Sequence, residues 1–327
     1  MRAYTTTRVV DIIEQATRNG AKVVSFADDS FGQNSSWSLQ VLVGLQQRRI
    51  QAYFRAQTRA TSVIWPLLQA MRSVGFFELA FGVESFLPER VEFLGKARNG
   101  CQYIAEAEET IVRTIMAGIC PVVYLILADP LSTLTQLASE FDAIVQFLSR
   151  VYSRTSALPR ISFSPVLLPL ASTEITRVFP TQSESLVAGT RCLVVPRRFR
   201  LRSEVEQFLV RADEETRSLP RRRENLAVLP IYFRALAKAA SEIEDKEGSQ
   251  ALEKLACAVS SYECLLKDLE NDVQLTLKQL VANLCGRAPL TSTFRSDFTR
   301  FGSYYAGVER LHRELEELVS VHSSPEE

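Results

Sequence analysis

Histidine is almost missing from this sequence, and so is any surplus of charge. The two histidines, His312 and His322, stand near the C-terminus with no cysteine beside them, so no zinc site is expected of them and neither has an obvious nucleophile partner. Lysine plus arginine total 38 and aspartate plus glutamate total 38, and a balanced chain carries no overall field to gather nucleic acid or an anionic membrane. No stretch reaches the roughly 18–20 uninterrupted apolar residues of a membrane span. Asp11, Glu14 and Arg18 fall where a secretion signal would be apolar, which makes the cytoplasm the expected compartment and leaves no membrane partner. The six cysteines are scattered, so free thiols are expected rather than a disulfide framework. Cys257 and Cys264 share a helix face by their spacing, which predicts core packing. Arg197, Arg198, Arg200 and Arg202, the run 221–223, and the pair Arg48 and Arg49 have one interleaved aromatic, Phe199. They read as solvated helix ends, and no nucleic-acid partner is predicted.

What the chain does have is 46% hydrophobic residues over 327 positions, enough for one large core or two ordinary ones. In the first half, short β-rich runs alternate with amphipathic stretches, the pattern of strand–helix units around a parallel sheet. Residues 5–19 read as a helix, with Val9, Ile12, Ile13 and Ala16 on one face and Gly20 as its stop. Strands are expected to begin near residues 23, 50, 76, 119 and 160. Between them lie predicted helices at 36–49, capped by Ser35 or Ser36, around Pro66, at 102–117 and at 133–152. A right-handed succession of such units closes into a barrel or part of one. A doubly wound open sheet is the competitor, but it wants a Gly-rich phosphate loop after its first strand, and FADDSFGQN offers only Gly32 there.

From about residue 176 strand-like runs vanish apart from TRCLVVP, and helices are expected near 203–217, 223–245, 249–286 and 305–321. Leu266, Leu269, Val273, Leu277 and Leu280 are spaced as in a helical bundle. The predicted fold is therefore α/β: a partial (β/α) TIM-like barrel of parallel strands over residues 1–175, followed by a mainly helical domain over 176–327.

In parallel strand–helix folds the carboxyl ends of the strands share one mouth, where side chains converge on ligands. Asp28 and Asp29 close the first strand, Arg59 follows the second, Glu84 and Ser85 close the third, and Asp129 closes the fourth. Acids, a base and a hydroxyl so placed suit a zwitterionic small molecule, carboxylates taking its ammonium and hydroxyls and arginine its carboxylate. Taken singly, Asp28 and Asp129 also read as ordinary caps of helices or turns.

Five segments in register carry a family resemblance: Asp28, Asp29 and Phe31 as D-D-x-F; Arg59; Gly82, Glu84 and Ser85 as G-x-E-S; Lys96; and Ala117 with Gly118 at the end of a helix. Over about residues 1–170 the chain resembles the radical S-adenosylmethionine (radical SAM) core, most closely the subgroup that often carries a cobalamin-binding domain. The resemblance implies S-adenosylmethionine as ligand, with Glu84 and Ser85 approaching its ribose, Asp28 and Asp29 its amino acid portion, and Arg59 a carboxylate. It also implies a [4Fe-4S] cluster, cobalamin as a further cofactor, and radical chemistry such as methyl transfer on an unknown small-molecule or peptide substrate. Two departures stand out. The C-x3-C-x2-C loop that holds the cluster is absent, RAYTTTRVVDIIE matching the helix that follows it in relatives, and ADPLST replaces a G-x-P-G-E-T segment. Thiolates hold iron in such clusters, and the Tyr and Thr run at residues 4–7 cannot replace them. The chain as it stands is expected to perform no reductive cleavage. It is either an N-terminally incomplete enzyme, the favoured expectation, or a cluster-free binding or scaffold protein on the same barrel. A sheet edge left open by a missing innermost strand favours a homodimer.

Overall fold

The computed structural model of the chain describes residues 4–28, 30–169, 173–179, 181–183, 197–216, 228–243 and 245–285. The chain divides into two compact units. In the first, Thr5 accepts the Arg8 amide on its hydroxyl at 3.3 Å and starts α1 (Thr6–Arg18), whose apolar stripe buries Val10 and Ile13. After β1 (Val23–Ser25) comes α2 (Ser35–Gln47). Its cap is Asn34, not Ser35 or Ser36 as expected: the Asn34 Oδ1 accepts the Trp37 amide at 3.1 Å. The order then runs β2 (Tyr53–Thr58), α3 (Trp65–Val74), β3 (Phe76–Glu84), α4 (Pro88–Phe93), α5 (Gly100–Met116), β4 (Cys120–Ala128), α6 (Leu134–Thr155) and β5 (Arg160–Val166).

The five strands pair in parallel in the order β1-β2-β3-β4-β5, the sequential winding of a half-barrel. A doubly wound sheet would reverse its order at the first strand, so that competitor is excluded. Along β2 the pleat alternates strictly, with Phe54, Ala56 and Thr58 buried and Tyr53, Arg55 and Gln57 exposed. The buried face carries an aromatic cluster in which Phe54 and Phe76 stack at 5.5 Å and Phe26 and Phe31 approach at 4.5 Å. Gly75 makes the turn from α3 into β3 with φ of 103°, and a Cβ there would meet the Ala52 carbonyl oxygen at 2.6 Å. No other residue type fits that corner without moving the backbone.

Asp129 takes a different part from the one expected at a ligand mouth. It is buried, and its Oδ2 accepts from Nε and Nη2 of the equally buried Arg90 at 2.9 and 2.8 Å. Arg90 Nη2 also donates to the Ile126 carbonyl at 3.1 Å, so the pair ties α4 to the end of β4. The first unit also holds α7 (Glu174–Val178) and a short antiparallel pair, β6 (Thr181–Ser183) with β7 (Arg197–Phe199). The expected TRCLVVP strand lies outside the described residues.

The second unit contains α8 (Ser203–Thr216), α9 (Leu229–Ser241), α10 (Lys246–Cys285) and the first part of α6. Phe141 of α6 centres an aromatic core, 5.8 Å from Tyr232 and 5.6 Å from Phe233. Leu266 and Leu269 are buried as the spacing predicts. Cys257 and Cys264 are not: both are exposed, because the apolar face of α10 is formed by Ala251, Leu255, Ala258, Tyr262 and Leu265. The side chains of Val273, Leu277 and Leu280, the run 221–223 and the expected helix at 305–321 lie outside the described residues. Arg48 and Arg202 are ion-paired, to Asp11 with Glu14 and to Glu247. No helix among the described residues is long and apolar enough to cross a membrane.

Candidate functional site

A cavity of about 840 Å³ opens in the first unit at the carboxyl ends of β1 to β4, a size suited to a ligand of a few hundred daltons. One wall is the loop after β1. Backbone bonds lay this loop along β2, Phe26 N to Arg55 O and Phe31 N to Gln57 O, each 2.9 Å, and it carries Asp28 to the rim. Arg59 follows the last residue of β2, and Tyr124 lies on β4 beside Gly82. Among the described residues the side chains of Asp28, Gln57, Arg59 and Tyr124 make no hydrogen bond or ion pair, so their polar groups are available to a ligand.

Glu84 is placed by a different device. The β3–β4 register runs from Gly82 opposite Tyr124 directly to Glu84 opposite Leu125, so Val83 is the extra residue of a bulge, and bulges at strand ends re-aim side chains. Glu84 has φ of 73°, a left-handed backbone that a non-glycine residue adopts at a penalty of about 1–2 kcal/mol. Its Oε1 meets Lys96 Nζ at 2.8 Å. Lys96 Nζ donates to the Gly82 carbonyl at 3.1 Å, and the Tyr103 hydroxyl donates to the same oxygen at 3.0 Å. Burial pushes the Tyr103 phenol up to about 12, the Glu84 charge adding to the shift and Arg59 opposing it. A Cβ at Gly82 would lie 2.6 Å from Glu84 Oε1. The glycine of the G-x-E-S segment is therefore the space in which the carboxylate sits.

Of the residues singled out from sequence, Asp28, Arg59 and Glu84 thus line one cavity, with Gly82, Phe31 and Lys96 beside them. Ser85 does not: it is fully buried, and its Oγ accepts the Leu87 amide at 3.0 Å. Asp29 lies outside the described residues. Sequence reasoning missed Tyr103, Gln57 and Tyr124. The last two had a signal, the period-two alternation that sets them on the same strand face as the mouth.

No protein-family model matches the chain. A stretch of 77 residues, 24% of the chain, is 29% identical to an uncharacterized methyltransferase of Pyrococcus horikoshii, of which it covers 17%. Among solved structures, the chain aligns over 96% of its length with OxsB, a cobalamin-dependent S-adenosylmethionine radical enzyme, at 13% identity and a TM-score of 0.52, covering 54% of that chain. It aligns over 79% with TsrM from Kitasatospora setae, a radical S-adenosylmethionine methyltransferase with cobalamin and a [4Fe-4S] cluster bound, at 13% identity and a TM-score of 0.50. The fold is that of the radical SAM core. The chain spans about half the length of these structures, 54% and 55%.

The TsrM structure holds a [4Fe-4S] cluster, and the described residues here do not fit one. Cys101 sits on α5, Cys120 on β4, and Cys257 and Cys264 on α10. Among the described residues no group of three or more His, Cys, Asp or Glu side chains could hold a metal ion. What the half-barrel offers instead is a polar cavity with two acids, Asp28 and Glu84, set against two bases, Arg59 and Lys96.

Proposed function

We propose that the half-barrel binds S-adenosylmethionine in this cavity and serves radical SAM chemistry, methyl transfer or another group modification, on a small-molecule or peptide substrate. The observation that carries the reading is the convergence of Asp28, Arg59 and Glu84 on one cavity at the strand ends of a radical SAM fold. Glu84 accepts from the ribose hydroxyls, Asp28 with its neighbour Asp29 takes the ammonium, and Arg59 pairs with the carboxylate. Ser85 serves by holding the turn that follows β3. This chain's own part is to bind and orient the ligand and to keep water from it. Reductive cleavage needs a cluster that the described residues do not supply, and no residue here is assigned to cobalamin.

Calorimetry with S-adenosylmethionine tests the binding. Wild-type protein is expected to bind and Glu84→Ala to lose at least tenfold in affinity; equal binding by the two removes the ribose assignment. A second reading, a cluster-free binding or scaffold protein, is favoured by the lack of any three cysteines sharing a site among the described residues. An in-frame C-x3-C-x2-C encoded just upstream decides for the enzyme. Its absence, with protein that stays colourless after anaerobic reconstitution with iron and sulfide, decides for the scaffold.

A further inference from the structure

We infer that Lys96 is a positioning residue, which acts on the cavity's ligand through Glu84 by fixing the β3 bulge and the orientation of the carboxylate. The inference deepens the reading of the cavity as a ligand site and rests on it. The bulge has lost its place in the ladder, since β3 skips a residue between Gly82 and Glu84, and Glu84 sits at a positive φ. Such a segment at a strand end opens locally unless the surrounding structure over-determines it. Here a single carbonyl, Gly82 O, receives two side-chain donors, Lys96 Nζ at 3.1 Å and Tyr103 OH at 3.0 Å.

The same ammonium then reaches Glu84 Oε1 at 2.8 Å. One lysine therefore holds both ends of the Gly82–Glu84 step, its carbonyl and its carboxylate. Among the described residues Oε2 of Glu84 has no partner, which leaves that oxygen for the ligand. Lys96 is itself anchored: the backbone turns at the end of α4 with Gly95 N on Glu92 O at 3.0 Å and Lys96 N on Val91 O at 3.0 Å. Its side chain is 23% exposed, so most of its four-carbon stem is held by packing.

Two arms test this, on the full chain. In ligand-free protein, hydrogen exchange of the amides at 82–85 is expected to quicken about tenfold in Lys96→Met and in Tyr103→Phe, with Lys96→Arg close to wild type; unchanged exchange in both overturns the inference. In calorimetry with S-adenosylmethionine, Lys96→Met is expected to weaken binding about tenfold, or 1.4 kcal/mol, and to add nothing further in a Glu84→Gln background. Additive losses would mean that Lys96 touches the ligand directly and would also overturn it. If wild-type protein binds no S-adenosylmethionine, the functional reading fails while the exchange arm still judges Lys96. Should Lys96→Met not fold, Lys96→Gln takes its place in both arms.

Discussion

Replacing Gly82 with alanine adds a methyl group 2.6 Å from Glu84 Oε1 and 3.4 Å from Lys96 Nζ. Gly82 is not in the left-handed region, so the backbone accepts alanine and the conflict falls on the carboxylate, the far end of a flexible side chain. The carboxylate must leave its site and its partner. That ion pair is partly exposed, 23% and 19%, and pairs of this kind are worth no more than about 1 kcal/mol. Thermal unfolding should therefore shift down by about 3 °C at most. The ligand, by contrast, loses a charge-assisted hydrogen bond worth about 1.5–3 kcal/mol, which is about 10- to 150-fold in Kd. Calorimetry with S-adenosylmethionine and a thermal melt on the same samples read the two effects side by side. Unchanged affinity would refute the claim that Gly82 makes room for a ligand-binding carboxylate. A fall in Tm beyond about 10 °C would show instead that the backbone gives way.

Three further outcomes are expected. Arg90→Met takes the guanidinium away from the buried Asp129 carboxylate, so denaturant unfolding should reveal a loss of about 3–5 kcal/mol, and adding Asp129→Leu should recover part of it. Gly75→Ala forces a methyl against the Ala52 carbonyl at φ of 103° and should destabilise by more than about 1 kcal/mol in the same assay. Tyr103 has its folded value raised to about 12 from 10.0; its contribution to stability is therefore intact below pH 10 and is lost as pH rises from 10 to 12. Melts across that range should fall less steeply in Tyr103→Phe, and the difference ultraviolet titration should lack one late tyrosinate step.

The sheet was legible from sequence because its punctuation is local. Gly20, Gly75 and Gly118 stop helices just before strands that begin at Val23, Phe76 and Cys120, and the β-rich runs between them are too short for helices. The mouth was legible for the same reason, since Asp28, Arg59 and Glu84 each sit where a strand run ends. Pairings across the fold were not. Asp129 and Arg90 are 39 positions apart, and no periodicity announces that one neutralises the other. α4 escaped notice because 6 residues give fewer than two turns, too few for a pattern, and with it went the anchoring of Lys96. Ser85 looked like its neighbour Glu84 in sequence, yet the bulge sends one to the cavity and buries the other. The exposed cysteines of α10 show the limit of spacing, which says that two residues share a side of a helix but not which side is wet.

The positive φ at Glu84 also bears on how this position drifts over generations. Glycine would relax that backbone at once, so a lineage with no further use for the acid has a downhill route to lose it in a single codon change. Were the acid to persist across descendants at a backbone angle better suited to glycine, its carboxylate would have to be in use.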